Sequence, residues 1–127
     1  MEVLSSRVLL RPVDPARSRA FYRDVLGLAV YREFGPPDDP GLVFFLGSGL
    51  LEVSGRATEP VRGLALWLQV RDAAAECARL AAAGVPVLAE PRRQAWGLVE
   101  GWVEDPDGMR IVLVEVPEDH PLRRDQR

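Results

Sequence analysis

The chain has 127 residues, 47% apolar and 28% charged, with a formal charge of -3, which fits one soluble domain able to bury about two-thirds of its unfolded surface. The negative balance and the lack of a basic stripe argue against nucleic acid as a partner. No apolar run approaches the roughly 18 residues that span a bilayer, and the segment MEVLSS has neither a positive flank nor an apolar core, so no membrane partner and a cytoplasmic location are expected.

Taken along the chain, residues 7 to 13 (RVLLRPV) read as a first strand. Asp14 then caps a helix with Pro15 at its first position, where a missing N–H costs nothing. Ala20, Phe21 and Val25 form the apolar face of that helix, and Gly27 ends it. Strands follow at 28–34 (LAVYREF), 42–47 (LVFFLG) and 50–55 (LLEVSG), the first two separated by the Pro-rich loop PPDDPG.

The same order then recurs. A strand at 64–70 (LALWLQV) leads to a capping Asp72 and the helix AAAECARLAAA, closed by Gly84. Strands are expected at 85–90, 97–104 and 109–116, the last two joined by Asp105-Pro106-Asp107-Gly108, whose residues suit a type I turn. A repeated unit too small to close its own sheet is expected to pair with its copy and bury a common face.

Residue types that are missing narrow the chemistry. All 16 basic residues are Arg, so Schiff-base catalysis, covalent pyridoxal phosphate attachment and a Walker lysine are excluded. Cys77 has no partner for a disulfide and reads as buried packing on the second helix. The single histidine, His120, lies beyond the last predicted strand, which argues against a histidine triad or a multi-histidine metal site.

The run VDPARSRAFYRDVLGL, with Ser18, Phe21, Tyr22 and Leu26 to Leu28, resembles the signature helix of the vicinal oxygen chelate superfamily, the glyoxalase, bleomycin resistance and extradiol dioxygenase proteins. VRDAAAECARLAAAGV resembles the second helix of that family, and VEDPDGMRIVLVEV its closing hairpin. The resemblance covers about residues 5 to 117. It implies an α+β fold of two βαβββ modules, at about 5–56 and 62–117, whose strands form a partly open, curved mixed sheet, an incomplete barrel around a cavity, usually in a homodimer. On this reading residues 1–117 are a single domain and 118–127 a polar tail.

Metal-dependent members of the family place His or Glu at four inward positions, where a divalent ion binds two neighbouring substrate oxygens. The resemblance maps those positions onto Arg7, Ala65, Glu52 and Val112. One donor of four is not a metal site, and a guanidinium at Arg7 would repel a cation, so no metal and no cofactor are expected. If Glu52 faces Arg7, a bidentate ion pair replaces the ion; otherwise both charges point to solvent.

Strand alternation puts Leu9, Arg11 and Val13 on the face of Arg7, Trp67 and Gln69 on that of Ala65, Leu50 and Ser54 with Glu52, and Val114 with Val112. Such a lining suits an aromatic or heterocyclic small molecule. QAWGLVEGWVEDPDG is also similar to a Trp-Gly element of the bleomycin resistance branch, whose members bind drugs without metal or chemistry; the matching residues are Trp96 and Gly97, with Trp102 on the following strand. Each tryptophan has ordinary core packing as its other explanation. The expected ligand-contacting set is Arg7, Leu9, Arg11, Glu52, Ala65, Trp67, Gln69, Trp96, Trp102 and Val112. Three functions follow: a metal-free binder of an antibiotic or hydrophobic metabolite, a lyase, isomerase or dioxygenase with Glu52 as a base of raised pKa, or an interaction domain without a ligand.

Overall fold

The computed structural model describes residues 1–122, and its packing divides them into two compact units, Met1–Arg62 with Pro106–Gly108, and Gly63–Asp105 with the described residues from Met109. Residues 123–127 of the predicted tail lie outside the described residues. Each unit is a four-stranded mixed sheet carrying one helix, so the predicted α+β class with its repeated module is what the chain adopts. No helix among the described residues is long and apolar enough to cross a membrane.

In the first unit β1 (Arg7–Leu10), β2 (Val30–Phe34), β3 (Gly41–Leu46) and β4 (Gly49–Val53) lie in the order β1-β4-β3-β2, with β1 parallel to β4 and the other pairs antiparallel. β1 ends earlier than predicted, before Pro12, which has no N–H to give a ladder. Asp14 caps α1 (Pro15–Ala20) by accepting from the Arg17 N–H at 3.2 Å. The helix then widens into a π-helical turn over Phe21–Val25, where the Leu26 N–H donates to the Phe21 carbonyl at 2.7 Å. This corrects the predicted apolar face. The wider turn carries Tyr22 fully inward, its ring edge-on to Phe21 at 4.9 Å and 6.3 Å from Phe44, while Val25 is only half-buried. Gly27 follows with φ 80°, as a left-handed helix stop requires.

The second unit repeats the plan with β5 (Ala65–Gln69), α2 (Ala73–Ala82), β6 (Val87–Arg93), β7 (Val99–Glu104) and β8 (Arg110–Glu115), in the order β5-β8-β7-β6. Asp72 caps α2 through the Ala75 N–H at 3.0 Å. β6 starts later than predicted because Val85 belongs to the helix exit: its N–H donates to the Leu80 carbonyl at 3.0 Å beside Gly84 at φ 89°. It also runs on through Pro91 to Arg93, with two register shifts against β7. The turn between β7 and β8 is set by Asp105, whose carboxylate accepts from the Met109 N–H at 2.8 Å, with Gly108 at φ 81°.

Each helix covers one face of its own sheet. In the first unit Leu10, Leu42, Phe44, Leu51 and Val53 join Phe21 and Tyr22 in the core. In the second, Leu66, Val103, Ile111 and Leu113 join Ala73, Cys77 and Leu80, and Gly101 leaves room for the Cys77 sulfur, which a Cβ there would meet at 2.7 Å. The opposite face of each sheet carries the candidate site residues, because side chains alternate along a strand and registered neighbours share a face.

Candidate functional site

On the first sheet, the register aligns Arg7 with Leu50 and Phe45, and Leu9 with Glu52 and Val43. These rows bring three polar side chains, Arg7, Arg11 and Ser54, together around Glu52. Arg7 Nη1 donates to Glu52 Oε1 at 2.9 Å. The Ser54 hydroxyl donates to Oε2 at 2.6 Å, and Arg11 Nη1 donates to Ser54 Oγ at 2.8 Å while standing 3.5 Å from Oε2. The pair is therefore not the bidentate one expected, because the second carboxylate oxygen is taken by Ser54 and Arg11. The Glu52 side chain is 12% exposed, against 33% for Arg7 and 45% for Arg11.

This geometry reverses the expected chemistry of Glu52. The Ser54 hydroxyl, and after it the Arg7 guanidinium with added charge from Arg11, hold its carboxyl below the usual range, outweighing the desolvation that pushes it up. A carboxylate so stabilised is a poor base. Beside this cluster, Leu9 and Phe45 are about half exposed, Tyr31 packs edge-on to Phe45 at 5.2 Å, and an open hollow of about 480 Å³ is lined by Val3 to Ser6, Phe45 and Gly47 to Leu50. Phe45 and Tyr31 escaped the sequence reading. Adjacent aromatics on one strand must face opposite ways, so the pair Phe44-Phe45 already implied one ring off the core.

On the second sheet, Val112 is the register partner of Trp67 on one side and Trp102 on the other, which sets a row Trp67-Val112-Trp102 across β5, β8 and β7. The next row holds Gln69, Val114 and Glu100. Ala65, next to Arg110, is exposed, and Trp67 is 49% exposed. Val112 is buried in a small cluster with Leu98, Val114 and Val116, and Trp102 packs against it. Trp96 keeps 59% of its surface open while its indole N–H donates to Glu100 Oε2 at 2.7 Å. Glu100 was not foreseen as its anchor. His120 is tied to that loop: its Nδ1 accepts from the Leu122 N–H at 3.2 Å, which leaves Nε2 as the donor to the Trp96 carbonyl at 3.1 Å. Burial, with Glu90 and Glu76 nearby, pushes the Cys77 thiol up, which suits packing rather than reactivity.

The residues do not fit a divalent ion. Among the described residues no three His, Cys, Asp or Glu side chains gather as ligands. Both oxygens of Glu52 are already engaged by cationic and hydroxyl donors, whereas a bound ion needs at least three free protein donors.

The family model described as Glyoxalase/Bleomycin resistance protein/Dioxygenase superfamily matches residues 5–113. No curated protein matches the chain. Among solved structures, TnmS3, an antibiotic binding protein from Streptomyces sp. CB03234, is 24% identical, with 91% of this chain and 98% of that one covered at a TM-score of 0.75. SMU.1112c is 28% identical, covering 91% and 99% at 0.74. Lactoylglutathione lyase from Agrobacterium tumefaciens is 21% identical, covering 90% and 92% at 0.65.

Proposed function

Because the chain belongs to the glyoxalase/bleomycin resistance protein/dioxygenase superfamily, in which its structural neighbours include both an antibiotic binder and a lyase, we propose that it is a metal-free binding protein for an aromatic or hydrophobic small molecule, such as an antibiotic. The observation that carries this reading is the row Trp67-Val112-Trp102, two indoles flanking a valine on one sheet face. Such a surface stacks a flat ring without supplying any reactive group. The antibiotic-binding neighbour supports it, and the low basicity of Glu52 speaks against a Glu52-based enzyme.

The reading takes Arg7, Leu9, Arg11, Glu52, Ala65, Trp67, Gln69, Trp96, Trp102 and Val112 as ligand contacts, residues 1–117 as one domain and 118–127 as a tail. It also takes the working form as a cytoplasmic homodimer. Titration with a panel of planar aromatic antibiotics tests it, followed by tryptophan fluorescence and by chromatography of the recovered compound. Saturable quenching with the compound unchanged is expected, and Trp67→Ala should weaken binding by about 1 to 3 kcal/mol. Stoichiometric Ni, Zn, Fe or Mn in protein purified without chelator would overturn it, as would turnover of the compound.

A further inference from the structure

We propose that the ligand carries a negative charge, a carboxylate or comparable anion joined to an apolar body, and that Arg7 and Arg11 on the first sheet receive it. The proposal rests on the binding reading above and adds the chemical class of the ligand.

The charges on this face do not balance. Arg7 and Arg11 both converge on Glu52, leaving the trio one positive charge in excess. Arg32, in the same row as Glu52 and Val43, adds another cation, and Glu52 is the sole acid among the strand residues of this face. Neither guanidinium is used up. Arg7 engages the protein through Nη1 alone, and so does Arg11. A guanidinium has five N–H donors in a planar fork, so Nε and Nη2 of each residue remain without a partner among the described residues.

What separates this pair from ordinary surface arginines is that both heads are already fixed. Glu52 holds Arg7, and Ser54 with Glu52 holds Arg11, so an arriving anion need not order two long side chains, a cost that commonly cancels the gain from exposed charge pairs. A carboxylate matches the fork through two parallel N–H bonds. The neighbours define the rest of the ligand: Leu9 on β1 lies between Arg7 and Arg11 in the chain, and the row of Arg7 continues through Leu50 to Phe45, at the rim of the hollow of about 480 Å³. An anionic head on the arginines therefore has the half-exposed Leu9 and Phe45 beside it to meet an apolar body. A cationic ligand would meet excess positive charge here.

Three probes that share one ring system test this: 2-naphthoate, 2-naphthamide and 2-naphthylmethylammonium, titrated into the full chain by calorimetry. The naphthoate should bind at least tenfold more tightly than the amide, the ammonium most weakly, and the preference should shrink with added salt. Arg11→Gln should lower naphthoate affinity at least tenfold more than amide affinity, so that the preference collapses, and Arg11→Lys, which keeps the charge, should restore part of it. Amide or ammonium binding as tight as naphthoate would overturn the anion site while leaving a neutral-ligand binder standing. No binding by any of the three would overturn both readings.

Discussion

The two units share one plan but finish their open faces differently. Arg7 and Ala65 begin the first strands, Leu9 and Trp67 follow, and the register places Glu52 and Val112 at equivalent points beside them. On the first sheet that point is a carboxylate held by two arginines and a serine; on the second it is a valine inside an apolar cluster under Trp102. One backbone therefore supports a polar network in one copy and aromatic packing in the other. The face not covered by the helix is where a repeated module is free to diverge, since the covered face in both copies must stay apolar.

Substitutions can break or sharpen that contrast. Val114→Asp, which buries an unpaired charge in the apolar cluster, should cost about 3 to 5 kcal/mol in denaturant unfolding. Trp102→Ala should cost about 2 kcal/mol, because the ring is only partly buried. Glu52→Gln should cost about 1 to 2 kcal/mol near neutral pH. Its carboxyl is held low in the folded chain, so that contribution is complete above the unfolded Glu value of about 4.3 and disappears as pH falls through the lower folded value. The stability gap between wild type and Glu52→Gln in thermal unfolding should thus start to narrow as pH falls through the unfolded Glu value of about 4.3 and close only below the lower folded one. Arg11→Gln should change stability by less than about 1 kcal/mol, since that side chain is nearly half exposed. Equal acid sensitivity of wild type and Glu52→Gln would show that the network is not what distinguishes the first sheet.

The plan of the fold was legible because it rests on local signals. Asp14 with Pro15, Asp72, Gly27, Gly84 and the Asp105 to Gly108 turn each fix an element boundary through a cap, a left-handed residue or a short loop. The pairing of Arg7 with Glu52 was one of two outcomes the sequence left open: the family resemblance put both at inward positions, and only the adjacency of β1 and β4 decides it. The π-helical turn was not legible, since a 3.6-residue period describes Ala20, Phe21 and Val25 as one stripe and hides Tyr22. Nor was the state of Glu52. Apolar surroundings raise a carboxyl and hydrogen bonds lower it; alternation puts Ser54 on the same face, but only the three-dimensional contacts show its hydroxyl and the two guanidinia reaching the carboxylate. The late start of β6 was hidden because Val85 reads equally well as the first residue of a strand.

The outer strand of the second sheet also bears on how the protein behaves when concentrated. β6 carries Pro91 and loses register twice within seven residues. A foreign strand laid along that margin would find one amide proton missing and the remaining groups out of step, so no continuous ladder could grow from it. That margin is thus a poor template for fibril growth by strand addition.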